Sequence, residues 1–168
     1  MNRGFSLLEL LITVALIAML AGLALTLPGR NRQRLVLENA MRRLRVGLER
    51  GRLAAERDRR PCGLRLASAG WLAPLPGSLP VCRGAALPLT EFDNGDALIV
   101  RTNLPELLRF SANGLVLDGG IVVVGHLQLP QQRCLVLGMP LGITRTGRYV
   151  GDPADALSSA DCRPSDDA

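Results

Sequence analysis

Met1-Asn2-Arg3-Gly4-Phe5-Ser6-Leu7-Leu8-Glu9-Leu10-Leu11 opens the chain and runs on in apolar residues as far as Leu27. From Phe5 to Leu27 only Glu9 carries a formal charge. As a helix this segment extends about 35 Å at about 1.5 Å per residue, against a hydrocarbon core of about 30 Å. It therefore predicts a membrane-anchoring helix. A carboxylate that deep in such a segment costs about 2.5–3.5 kcal/mol on insertion scales. A residue kept at that cost marks Glu9 as a functional position.

The residues ahead of the apolar run, Met1 to Gly4, are too few for the hydrophobic region of an ordinary secretory signal peptide. Arg3 and the amino terminus favour a cytoplasmic start, while Arg30, Arg32 and Arg34 beyond the far end oppose it. The cysteines decide for an N-in, C-out orientation. Pro28-Gly29 marks the membrane exit or a kink, because proline lacks the N–H that a helix needs. The helical pattern then resumes. Leu37, Met41, Leu44 and Leu48 recur at helical spacing with Ala40, Gly47, Gly51 and Ala55 beside them. The opposite face is charged, and Glu38–Arg42 and Glu49–Arg52 have the spacing of intrahelical ion pairs. Arg59-Arg60-Pro61 ends the helix, and the cations Arg57, Arg59 and Arg60 suit its C-terminus.

From Pro61 the pattern turns to strands. Segments 62–66, 97–101, 107–110, 115–117, 120–125, 133–137 and 141–144 read as extended, and Asn113-Gly114 supplies a hairpin turn. Trp71 to Pro88 reads as irregular loop with short extended pieces, and Tyr149 onward as a polar tail. The expected architecture is α+β: one long N-terminal helix laid on an antiparallel sheet of five to seven strands, with a disulfide-tied C-terminal region.

Composition narrows the function classes. The 168 residues hold twenty arginines, no lysine and a net charge of +5. Twelve of those arginines lie between Arg30 and Arg65, and five aspartates follow from Asp152 onward, so basic charge belongs to one segment. The single histidine, His126, reads as a loop residue between strands, and no Ser-His-Asp set, phosphate loop or zinc-ligand spacing accompanies it. The chain is read as a non-enzyme with no metal and no cofactor. Asp93-Asn94-Gly95-Asp96 reads as a polar turn in preference to a calcium loop. Cys62, Cys82, Cys134 and Cys162 make an even set that favours disulfides, and of three possible pairings the sequential one closes the shortest loops.

Gly4-Phe5-Ser6-Leu7-Leu8-Glu9 before an apolar run resembles the start of type IV pilins and type II secretion pseudopilins. The segments Phe110-Ser111-Ala112-Asn113-Gly114, Gly120–Val124, Arg133-Cys134-Leu135-Val136-Leu137 and Thr146-Gly147-Arg148 resemble the FimT/GspH family of minor pilins and pseudopilins. The resemblance implies a leader at 1–4, a transmembrane and assembly helix at 5–28, its amphipathic continuation at 29–60 and a periplasmic β-rich domain at 61–168. It implies that a prepilin peptidase cuts between Gly4 and Phe5 and methylates Phe5. It also implies assembly with other minor and major pilins from the bacterial inner membrane. Glu9 then has a partner, the cationic amine of Phe5 on a neighbouring subunit, which would set filament register. The expected role is a minor pilin at the tip of a type IV pilus, priming assembly. The alternatives are an H-type pseudopilin of type II secretion and a DNA-binding competence pilin. For DNA, Arg145, Arg148 and Tyr149 are the residues that would form a phosphate and stacking patch, although Val150 stands where DNA-binding members have a second arginine. A turn and sheet-edge role is the preferred reading of these three.

Overall fold

A computed structural model describes residues 7–25, 29–90, 97–152 and 155–164. The chain divides into two units, residues 1–32 and 33–168. In the first, helix α1 (Leu7–Leu25) holds the apolar run, and every side chain described from Leu7 to Met19 is exposed. Among the described residues no helix is long and apolar enough to cross a membrane. As described, α1 has 19 residues, about 28 Å, and the apolar segment continues past it at both ends. The Pro28 kink falls outside the described residues, as does the Asp93–Asp96 turn.

Helix α2 (Gly29–Asp58) carries the predicted stripe. Leu37, Ala40, Met41, Leu44, Leu48, Ala54 and Ala55 are all buried. Its end is a Schellman motif: Arg60 N–H donates to Ala55 O (3.2 Å) and Arg59 N–H to Glu56 O (3.3 Å). Arg59 takes the left-handed position at φ 49°, where glycine is the usual choice, and Pro61 prevents the helix from continuing.

Among the described residues eight strands follow: β1 (Cys62–Ala67), β2 (Gly70–Leu72), β3 (Leu98–Thr102), β4 (Leu108–Phe110), β5 (Gly120–His126), β6 (Gln132–Gly138), β7 (Ile143–Tyr149) and β8 (Cys162–Arg163). They form two antiparallel sheets, β2-β1-β4 and β3-β5-β6-β7-β8. The fold is α+β as expected, but with two sheets in place of one.

The main core joins α2 to both sheets, through Leu64, Trp71, Leu108 and Phe110 on the small one and Val122, Val124, Leu135 and Leu137 on the large one. Gly47 makes this approach possible. A Cβ there would lie 2.1 Å from Trp71 Cδ1, and one at Gly51 would lie 2.9 Å from Phe110 Cε2. A second, smaller cluster fills the other face of the large sheet. It comprises Ile121, Val123, Cys134, Tyr149 and Cys162, with Leu157 packed against it. The large sheet is thus covered on one face by α2 and on the other by the C-terminal segment.

Three expectations need correction. The segment read as a strand at 141–144 starts and ends later, as β7, and Tyr149 is buried strand, not tail. The C-terminal segment supplies its neighbour β8, which explains why a polar stretch is fixed in place. Residues 115–117 are held to β4 by single contacts, including Leu117 N–H to Arg109 O (3.0 Å), without forming a strand. The turn before them does close, with Gly114 at φ 72° donating to Ser111 O (2.9 Å). The predicted helical ion pairs are replaced: Glu38 binds Arg133 of β6, Glu49 binds Arg45, and Arg52 donates to Gly114 O (3.2 Å).

Asp118 fastens this same segment. It accepts from Arg109 at the backbone N–H (3.0 Å), Nε (3.0 Å) and Nη2 (2.7 Å). The guanidinium hydrogen bonds hold its carboxyl below the usual carboxylate range. A lowered folded value contributes stability that is complete above the unfolded value of about 3.9 and is lost as pH falls through the folded one. Asp118→Asn should therefore lower the urea midpoint by a constant amount above about pH 5 and by a shrinking amount below about pH 4. A gap that widens in acid would contradict the assignment.

Candidate functional site

Gly4 and Phe5 lie outside the described residues. Glu9 sits in the first turn of α1, where a carboxylate meets the positive end of the helix dipole. It is exposed among Leu7, Leu8, Leu10, Leu11 and Ile12, themselves 52–78% exposed. Among the described residues it has no hydrogen-bond or ion-pair partner. A largely apolar exposed surface carrying one unmatched carboxylate is incomplete in a single chain. It calls for lipid or other apolar helices around it and for a cation near its start.

The structure does not bring Arg145, Arg148 and Tyr149 together as one patch. Side chains alternate along β7, so Arg145 and Arg148 project to opposite faces of the sheet. Arg145 Nη2 donates to Ser159 O (2.8 Å) in the C-terminal segment. Tyr149 is 6% exposed, lies in the second core cluster, and has the Arg101 guanidinium 5.8 Å from its ring centre. A buried ring is not available for stacking on a base. His126 is the buried last residue of β5, not a loop residue, and its Nδ1 accepts from Gln128 N–H (3.1 Å).

The cysteines are joined as Cys62–Cys82 and Cys134–Cys162. The first bridge ties β1 to the loop before Ala85. There Gly63 N–H donates to Pro80 O (2.9 Å) and Cys82 N–H to Gly63 O (3.3 Å). The second joins the centre of β6 to β8, across β7.

One surface feature escaped sequence reading. A groove of about 180 Å³ runs between α2 and the β6–β7 pair, lined by Glu38, Met41, Arg42, Arg45, Arg133 and Thr146. On its wall Arg133, with a side chain only 18% exposed, donates to Glu38 Oε1 from Nε (2.6 Å) and Nη2 (2.5 Å). The partners are separated by 95 residues, so no local pattern announces the pair.

Comparison with known proteins bears on the N-terminus. No curated protein and no solved structure matches the chain. Residues 1–25 match the family described as the prokaryotic N-terminal methylation motif. The segment containing Gly4, Phe5 and Glu9 is thus of the type IV prepilin-like kind, which implies processing by a prepilin peptidase and assembly with other pilins.

Proposed function

We propose that this chain is a minor pilin of a type IV pilus, FimT/FimU-like, which acts at the filament tip in priming assembly. The match of residues 1–25 to the methylation motif carries the reading. The exposed apolar surface of α1 and the α+β unit that follows support it. In this reading the peptidase cuts after Gly4, Phe5 becomes the methylated N-terminus, and α1 waits in the inner membrane with residues 61–168 on the periplasmic side. During assembly Glu9 meets the α-amine of a neighbour. A buried ion pair of this kind fixes register more dependably than it adds stability. The chain is non-enzymatic. DNA contact is left out, because Arg145 and Arg148 project to opposite faces and Tyr149 is covered.

A strain carrying Glu9→Val tests this. The protein should remain in the membrane fraction with a methylated Phe5 terminus by mass spectrometry. Its recovery in sheared pili should fall about tenfold or more, since an unpaired buried charge costs about 3–5 kcal/mol. Twitching should fall with it, while exoprotein secretion stays normal. Unchanged incorporation would overturn the register role, and loss of secretion alone would assign the chain to type II secretion.

A further inference from the structure

Three arginines stand side by side across one end of the large sheet. Arg133 of β6 faces Arg148 of β7, and Arg148 faces Arg163 of β8. Directly opposed residues of antiparallel strands project to the same face, with the strands about 4.7–4.9 Å apart. That face is the one α2 covers, because Leu135 and Leu137 alternate with Arg133 along β6 and pack in the main core. Arg42 joins the cluster from α2, across the groove it lines with Arg133 and Thr146.

Like charges opposed across a ladder repel one another. Among the described residues one carboxylate relieves this cluster, Glu38, and it is bound to Arg133. Arg42, Arg148 and Arg163 are exposed, and none has a hydrogen-bond or ion-pair partner among the described residues. Arg45, also on the groove wall, is neutralised by Glu49 at 3.1 Å.

We propose that this arginine ladder and its groove form a docking site for an acidic protein segment, which seats its carboxylates against Arg42, Arg148 and Arg163. Guanidinium groups present paired N–H donors that fit a carboxylate. The site already holds one carboxylate, Glu38, whose Oε1 accepts from both Nε and Nη2 of Arg133. The groove's volume suits side-chain groups, not a nucleotide strand. Glu38 stands within it and opposes a continuous run of phosphates, whereas spaced carboxylates can straddle it. Arg145 lies on the other face, so the basic surface does not continue around the sheet edge as a track. This goes beyond the filament reading and does not depend on it.

The full chain in neutral-detergent micelles is titrated against a fluorescent hexapeptide of alternating aspartate and serine, at about 20 mM salt, where screening is weak. Saturable binding is expected. Arg42→Gln and Arg148→Gln should each weaken it about three- to fivefold, the range of an exposed ion pair. Both side chains are exposed and unpartnered, so the fold is kept. Arg83→Gln, on the separate groove formed with Arg50 and Arg57, should leave binding unchanged. The site is refuted by absence of saturable binding or by equal weakening with Arg83→Gln. Tighter, Arg148-dependent binding of a thymidine hexanucleotide would also refute it and assign the ladder to nucleic acid.

Discussion

Trp71→Ala should lose about 3–5 kcal/mol of unfolding free energy, the range for truncating a buried large aromatic. Trp71 is 1% exposed, and its indole N–H donates to Leu44 O (2.9 Å) in the middle of α2. Its backbone also pairs with Leu87, donating at 2.9 Å and accepting at 3.0 Å. The residue therefore joins three parts of the unit: the helix through its ring, and the small sheet and the loop that follows Cys82 through its backbone. Gly47→Ala tests the same contact from the other side. Alanine gains about 1 kcal/mol of helix propensity over glycine. Its methyl would sit 2.1 Å from the ring, and overpacking costs about 1–3 kcal/mol. Gly47→Ala should therefore destabilise the native protein yet stabilise the Trp71→Ala variant. Urea midpoints of the four proteins give the coupling directly. Additive effects would mean that the ring does not set the distance between α2 and β2.

Replacing both Cys134 and Cys162 with serine should cost about 2–4 kcal/mol, as expected for opening a loop of this size. The sequence separation is 28 residues, and the bridge fastens the C-terminal segment beside Ile121, Val123 and Tyr149. The loss should be uneven. Val150 N–H, which donates to Asp161 O (3.0 Å), should exchange with solvent much faster. The amides of Leu44 and Leu48, in the main core, should keep their protection until global unfolding. Uniform acceleration would mean that the second cluster and the main core open together.

The helical half of the globular unit was legible because its signal is local. A stripe of Leu37, Met41, Leu44 and Leu48 at helical spacing needs no knowledge of its partner. Strand existence was legible too, most clearly at Gly120–His126, where the run of valines has no other reading. What failed depends on distant chain. Ile143-Thr144-Arg145-Thr146-Gly147-Arg148-Tyr149 looks polar because the apolar cover on Tyr149 comes from the second cluster, and its edge is closed by two residues past position 160. The two-sheet division rests on β2, three residues inside a Pro/Gly-rich stretch, too short to show a period.

The site divides in the same way. The Gly4–Glu9 segment is read from neighbouring residues. The Arg133–Arg148–Arg163 row exists only once strand register is known, because residues far apart in sequence become adjacent. Sequence reading looked for basic clusters along the chain, and joined Arg145 with Arg148. In the sheet the relevant neighbours lie across it.

The cysteine order has a consequence for how the chain is made. Each bridge joins consecutive cysteines, with none in between. A thiol oxidase that acts on a chain as it emerges meets Cys62 and Cys82 first, and joins them before Cys134 is presented. The next two thiols then have only each other. Joining cysteines in order of appearance yields these pairs directly, so the pairing itself demands no reshuffling of bridges.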